Sequence, residues 1–292
     1  MNIRKRTYGL LLWGSIFLPL LGSCTRQELS ARPSSASVSI RFNWDSLGTG
    51  DSIPAEMALL FYGSDGSLIR ETGKGNESFT GSLPPGEYRV LAYNTDAVGV
   101  SYSNLDSYEL ASMHASPVSR ADYLSQPSHA YGIGLGSFTV TPSGGTAELT
   151  PDNFIRRCEV NIHLRGESTA VGSCDCTLSG ISRSVNLSTG ELQQEDGVIF
   201  FSPEIRSDGL VSVITFLGKS EQAGNILGIS LGFHSGGHQE LQVDITDAMA
   251  TVNVTVIPVV VDATIEVEGT TGGIFTATLT DWSYEQGSVE VK

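Results

Sequence analysis

No apolar run in this 292-residue chain is long enough to cross a bilayer as a helix. The strongest, from Gly9 to Leu21, falls short of the roughly 20 residues a span needs, and Pro19 interrupts it near its end. Positive charge is scarce as well. Against 32 Asp and Glu there are 17 Lys and Arg, a formal net charge of −15. Such an excess repels phosphate backbones and anionic headgroups, which argues against nucleic-acid binding and against adsorption to a lipid surface. Stretches of 3.6-residue periodicity are missing, and so are a G-x-S-x-G elbow, a P-loop and an H-E-x-x-H pair. His234 and His238 flank Ser235-Gly236-Gly237, and two adjacent glycines make a loop rather than the helix that sets i and i+4 ligands side by side. Glu191, Glu195 and Asp196 form an acidic patch without the spacing of a calcium loop. Cys174-Asp175-Cys176 has no second ligand pair to complete a zinc site. No catalytic residue, cofactor or metal is therefore expected.

What is present begins with a leader. Arg4, Lys5 and Arg6 precede the apolar run, which closes on Leu21-Gly22-Ser23-Cys24. That ending resembles the lipobox of bacterial lipoproteins, which implies removal of residues 1–23 and lipidation of Cys24. Losing three basic residues and no acidic ones would take the formal charge from −15 to −18. Each buried acyl methylene contributes about 0.8 kcal/mol, so several chains on one residue form a near-permanent anchor. Residues 24–36 are polar and aperiodic, a spacer between lipid and fold. The expectation is a lipid-anchored protein outside the cytoplasm.

Beyond the spacer the pattern has period two. Val38, Ile40, Phe42 and Trp44 alternate with polar residues, and MALLFY (57–62) is apolar on both faces. Gly63–Gly66 is a hairpin turn, Pro84-Pro85-Gly86 a tight reversal into the central strand Tyr88–Tyr93, and Pro142–Gly145 a further hairpin turn. Residues 94–137 show little alternation, and a connection of that length is usually functional or interface-forming. Short strands continue from Ile155 to Val291. With 40% apolar and 17% charged residues the chain can fill real cores. The fold class is all-β: two β-sandwich domains in series, 37–150 and 151–292, with separate cores and a boundary in Thr150–Asn153. Cys158, Cys174 and Cys176 occupy apolar-phase positions, either as buried thiols or with Cys158 bridged to one of the other two. Asp45, Asp51, Trp44 and Tyr62 could line a sugar site, although Trp44 continues a core-facing stripe.

A family resemblance rests on the order of several short motifs: VSIRFNWD, PAEMALLFY with SDG, LPPGEYRVLAYNTD, NFIRRCEVNI and the closing DWSYEQGSVEV. The set is similar to fimbrillin-like lipoproteins of the Bacteroidota, in particular anchor or accessory subunits of the FimB/Mfa2 type and the related DUF5119 family. The resemblance implies two transthyretin-like sandwiches, outer-membrane anchoring, no catalytic residues and a role in pilus assembly or adhesion. Pilus subunits are then the expected partners, bound by strand addition. It also implies that the first strand is kept, since cutting there would separate the body from its lipid. The alternative function is a surface lipoprotein that binds carbohydrate.

Overall fold

The computed structural model describes residues 35–48, 51–118, 122–193, 195–206, 209–253, 259–270 and 274–286. The leader, Cys24 and the expected strand Ser288–Val291 lie outside these residues. So do all of the spacer but its last two positions and part of the expected strand Val252–Val261.

The first half contributes β1 (Ala36–Phe42), β2 (Glu56–Gly63), β3 (Leu68–Lys74), β4 (Phe79–Leu83), β5 (Gly86–Asn94), β6 (Val100–Ser103), β7 (Ser112–Ala115), β8 (Tyr123–Leu124), β9 (Tyr131–Val140) and β10 (Gly145–Leu149). The second contributes β11 (Asp152–Asn153), β12 (Arg156–Gly166), β13 (Val171–Ser182), β14 (Ser184–Asn186), β15 (Asp196–Phe201), β16 (Glu204–Arg206), β17 (Gly209–Phe216), β18 (Ile226–Phe233), β19 (His238–Asp244), β20 (Val259–Thr270) and β21 (Ile274–Gln286). Among the described residues one 3-10 turn, Ser168–Ala170, is the only helical element, so the chain is all-β.

The first sandwich sets a three-stranded sheet, β10-β1-β4, against a five-stranded one, β11-β9-β5-β2-β3. Val38, Ile40 and Phe42 of β1 meet Met57, Leu59 and Phe61 of β2 and Tyr88 and Val90 of β5. Each such side chain, fully buried, stabilises by about 1.5–3 kcal/mol. Two turns act differently from the sequence expectation. Thr141–Gly144 does not close a hairpin: β9 lies in the five-stranded sheet, while β10 runs parallel to β1 in the other. Pro84-Pro85 likewise hands the chain from β4 in one sheet to β5 in the other. Proline fits a sheet-to-sheet crossing because it cannot donate to a ladder.

The second sandwich is built from sheets β16-β17-β12-β20-β21 and β19-β18-β13-β15-β8. Cys158, Val160 and Ile162 of β12 share its interior with Cys176 and Leu178 of β13 and with Ile229 of β18.

The expectation of two separate cores does not hold. Residues 34–292 form one compact unit. The outward face of β2 (Ala58, Leu60, Tyr62) and that of β5 (Leu91, Tyr93) belong to the same buried cluster as the interior of the second sandwich. The long segment 94–137 makes that union. Its β6 and β7 form a sheet with β14, and β8 adds in parallel to β15. A strand that is apolar on both faces needs cover on both, and here the second cover comes from the other half of the chain.

Candidate functional site

Two regions stand out, one at the first strand and one at the open sheet edges of the second sandwich. On the N-terminal side, β1 begins twelve residues beyond Cys24. It is central in its sheet, paired over five positions with β10 on one side and over five with β4 on the other. Val38 and Ile40 are fully buried beneath it. Pulling on the chain at Ala36 therefore loads two ladders along their length and drags an apolar row through the core.

In the second sandwich lies an open seam between β19 and β21, which end their two sheets; no described strand pairs with either on its outer side. β21 is the longest described strand, thirteen residues without proline or lysine, so its edge is little guarded. A cleft of about 320 Å³ runs along the seam, floored by Val243, Leu279 and Trp282 and rimmed by Asp244 and Asp247. The exposed Tyr284 stacks on Trp282, ring centroids 6.2 Å apart. Hydrogen bonds from the Thr246 hydroxyl, at 2.6 Å, and its N–H hold the Asp244 carboxyl below the usual carboxylate range. The rim is thus anionic at neutral pH. Apolar floor, acidic rim and an unpaired backbone edge are what an incoming extended segment needs.

Several motifs read from the sequence turn out to be joints. Tyr88 Oη donates to Pro84 O at 2.9 Å, fixing the sheet-to-sheet crossing of LPPGEY. Asn94 is fully buried: its Nδ2 donates to Asp96 Oδ1 and His129 O, and its Oδ1 accepts from Tyr131 N at 2.7 Å. Of the arginine pair of NFIRRC, Arg156 braces the second half and Arg157 fastens it to the first. Arg156 donates to Asn153 O and Asn253 O, and its burial lowers its pKa. Arg157 Nη2 meets Asp51 Oδ1 at 2.6 Å, with the Asp51 side chain only 4% exposed. Asn153 and the Gly48 N–H complete that carboxylate's shell. Nothing in the local pattern around Asp51 announces this pair, because its partner lies 106 positions away.

The remaining sequence candidates disperse. Trp44 donates Nε1–H to Gly75 O at 2.7 Å and packs edge-on against Tyr131. Tyr62 donates to Leu105 O, and burial pushes its hydroxyl up to about 12. With Asp51 paired to Arg157, three of the four residues of the supposed sugar site are engaged with other partners. Cys158, Cys174 and Cys176 are free, buried thiols, and Cys174 and Cys176 lie 3.7 Å apart at sulfur. Burial pushes Cys158 up to about 12; the hydrogen bond shared with Cys174, and burial after it, raise Cys176. His234 and His238 sit exposed around a hairpin turn. Among the described residues no group of three His, Cys, Asp or Glu could hold a metal. The histidine that sequence reasoning passed over is His114, whose Nε2 bonds Ser103 and Ser112 at 2.7 and 3.1 Å.

The sequence profile of DUF5119, a domain of unknown function, matches residues 23–202. The chain belongs to the DUF5119 family. The matched region crosses residue 150 without a break, in keeping with the shared core. A Bacteroides ovatus protein named "Putative fimbrium anchoring subunit Fim4B" is 32% identical over 111 residues, which take in 37% of this chain and 32% of that one. The match thus spans about a third of that relative's length. Among solved structures, a "putative adhesin" of Bacteroides ovatus superposes with a TM-score of 0.67 at 16% identity, covering 87% of this chain and 96% of that one. The fimbrial anchor protein Mfa2 of Porphyromonas gingivalis superposes at 0.59 and 11% identity, covering 87% and 98%. At those identities the DUF5119 chain shares their fold.

Proposed function

We propose that this protein is a non-enzymatic, cell-surface fimbrial anchor or accessory subunit, held in the outer membrane by lipid on Cys24 after loss of residues 1–23. Residues 24–36 are the tether, and 37–150 and 151–292 are two sandwiches that act as one body. Its partner is another pilus subunit, which adds a strand along the β19/β21 seam.

The observation that carries this reading is the placement of β1. The strand next to the tether is the central one of its sheet, so tension from the membrane enters the fold through two ladders at once. The Asp51–Arg157 pair and the shared core then pass that tension to the second sandwich, where the open edges lie. The sequence relative named as a fimbrium anchoring subunit supports the same assignment. The glycan alternative drawn from Trp44, Asp45, Asp51 and Tyr62 has lost support, because Trp44, Asp51 and Tyr62 are engaged in packing and pairing.

Cell fractionation tests the anchor. Cys24→Ala should move the protein out of the membrane fraction, and cells carrying it should shed fibres into the medium. Unchanged membrane retention, or a purified protein that still contains residues 1–23, would overturn the assignment.

A further inference from the structure

The outer face of the sheet β19-β18-β13-β15-β8 carries a feature that the anchor role does not use. Two cross-strand rows run over it. One reads Phe200, Thr177, Gly228, Gln242; the next reads Asp175, Ser230, Glu240. At the β8 edge Tyr123 stacks on Phe200, ring centroids 5.5 Å apart and planes within 26°. Leu124, the neighbour of Tyr123, points inward and is 3% exposed, so β8 is held with its tyrosine outward. Gly197 makes room for that leucine, since a Cβ there would collide with Leu124. Gly228 lowers the floor: a Cβ at that position would lie 2.6 Å from Thr177 Oγ1. The result is a depression of about 290 Å³ with an aromatic wall, a low centre and a polar far rim. Hydroxyls fix the two carboxylates, Ser202 donating to Asp175 and Ser230 to Glu240, each at 2.6 Å. Each carboxylate keeps an acceptor oxygen over.

We propose that this depression is a binding site for a neutral pyranose glycan. β15, β13 and β18 are each paired on both sides, so the face offers no backbone edge to an added strand. It offers no deep apolar pit for a peptide anchor either. What it offers is ring surface, whose electron-rich faces attract C–H groups, beside planar acceptors spread across a flat floor. A sugar ring has that complement: an axial C–H face and hydroxyl donors around its rim. Anionic sugars are repelled by Asp175 and Glu240, which lie on a chain of net charge −15. The site does not depend on the anchor assignment, and its loss through Tyr123→Ala leaves fibre attachment unchanged.

The test is calorimetric titration of the mature full-length protein with neutral gluco-, galacto- and manno-oligosaccharides, alongside an acidic glycosaminoglycan fragment and a lysine-rich peptide. Saturable binding of at least one neutral oligosaccharide is expected. Tyr123→Ala should weaken it at least tenfold, and so should Gln242→Ala, an exposed substitution that leaves the fold intact by thermal melting. The proposal fails if no neutral oligosaccharide binds, if only the acidic glycan or the peptide binds, or if binding survives both substitutions.

Discussion

The two sandwiches bury their apolar residues in different ways. The inner cluster of the first is closed, drawn from residues 36–149 alone, and centred on Phe61 with Phe79, Tyr88 and Phe138 around it. The interior of the second reaches out of its own half, taking in Ala58, Leu60, Tyr62, Leu91 and Tyr93 from the far face of the first sandwich's larger sheet, and Met113 and Leu124 from the connecting segment. One sandwich is therefore self-sufficient at its centre, while the other is completed by its neighbour. An anchor under tension benefits from that asymmetry, because the halves cannot separate without exposing apolar surface.

The largest effect should come from cutting the halves apart. A 151–292 fragment lacks β8 and the β6–β7 cover, and should show no cooperative thermal transition, whereas residues 35–292 should melt in one. A fragment that melts cooperatively would restore separate cores. Next in size, Phe61→Ala should destabilise by about 3–5 kcal/mol in urea titration, since the ring sits at the centre of the closed cluster. Leu60→Ala, one residue along on the other face, should cost about 2–4 kcal/mol and loosen the junction, seen as faster proteolysis within 94–137. If the two substitutions gave the same proteolytic pattern, the division of β2 between two clusters would be wrong.

Smaller effects test the joints. Asn94→Ala leaves the buried Tyr131 N–H without its acceptor, and should cost about 1–3 kcal/mol. The thiols give a pH signature. A cysteine in the unfolded chain titrates near about 8.5, while burial pushes Cys158 up to about 12 in the folded one. The unfolded chain releases its proton first, so this contribution is complete below about pH 8.5 and is lost as pH rises toward about 12. The slope approaches about 1.4 kcal/mol per pH unit for each such thiol. Urea midpoints at pH 7.5 and 9.5 should differ accordingly, and Cys158→Val should reduce the difference.

Much of the fold was legible in the residues. Alternation in Val38–Phe42 marks β1, and the two apolar faces of MALLFY already require cover on both sides. What alternation cannot convey is which strand supplies that cover. β8 is two residues long and β7 four, too short for a periodic signal, and both pair with partners far along the chain. The turn at Pro142–Gly145 shows the same limit: its chemistry marks a reversal but does not say whether the next strand rejoins the same sheet. The candidate site was less legible. Open edges are a property of the assembled sheets, and the Tyr123–Phe200 wall joins residues 77 positions apart, neither unusual alone.

The central claim is that the protein terminates a fibre at the membrane with its first strand in place. Immunogold labelling of fibres on intact cells, combined with mass spectrometry of the fibre-bound protein, tests it most directly. The account predicts label at the cell-proximal end alone and peptides covering Ala36–Phe42 joined to a lipidated Cys24. Label repeated along the shaft, with the residues before about 42 missing, would contradict it and make the protein a stalk subunit.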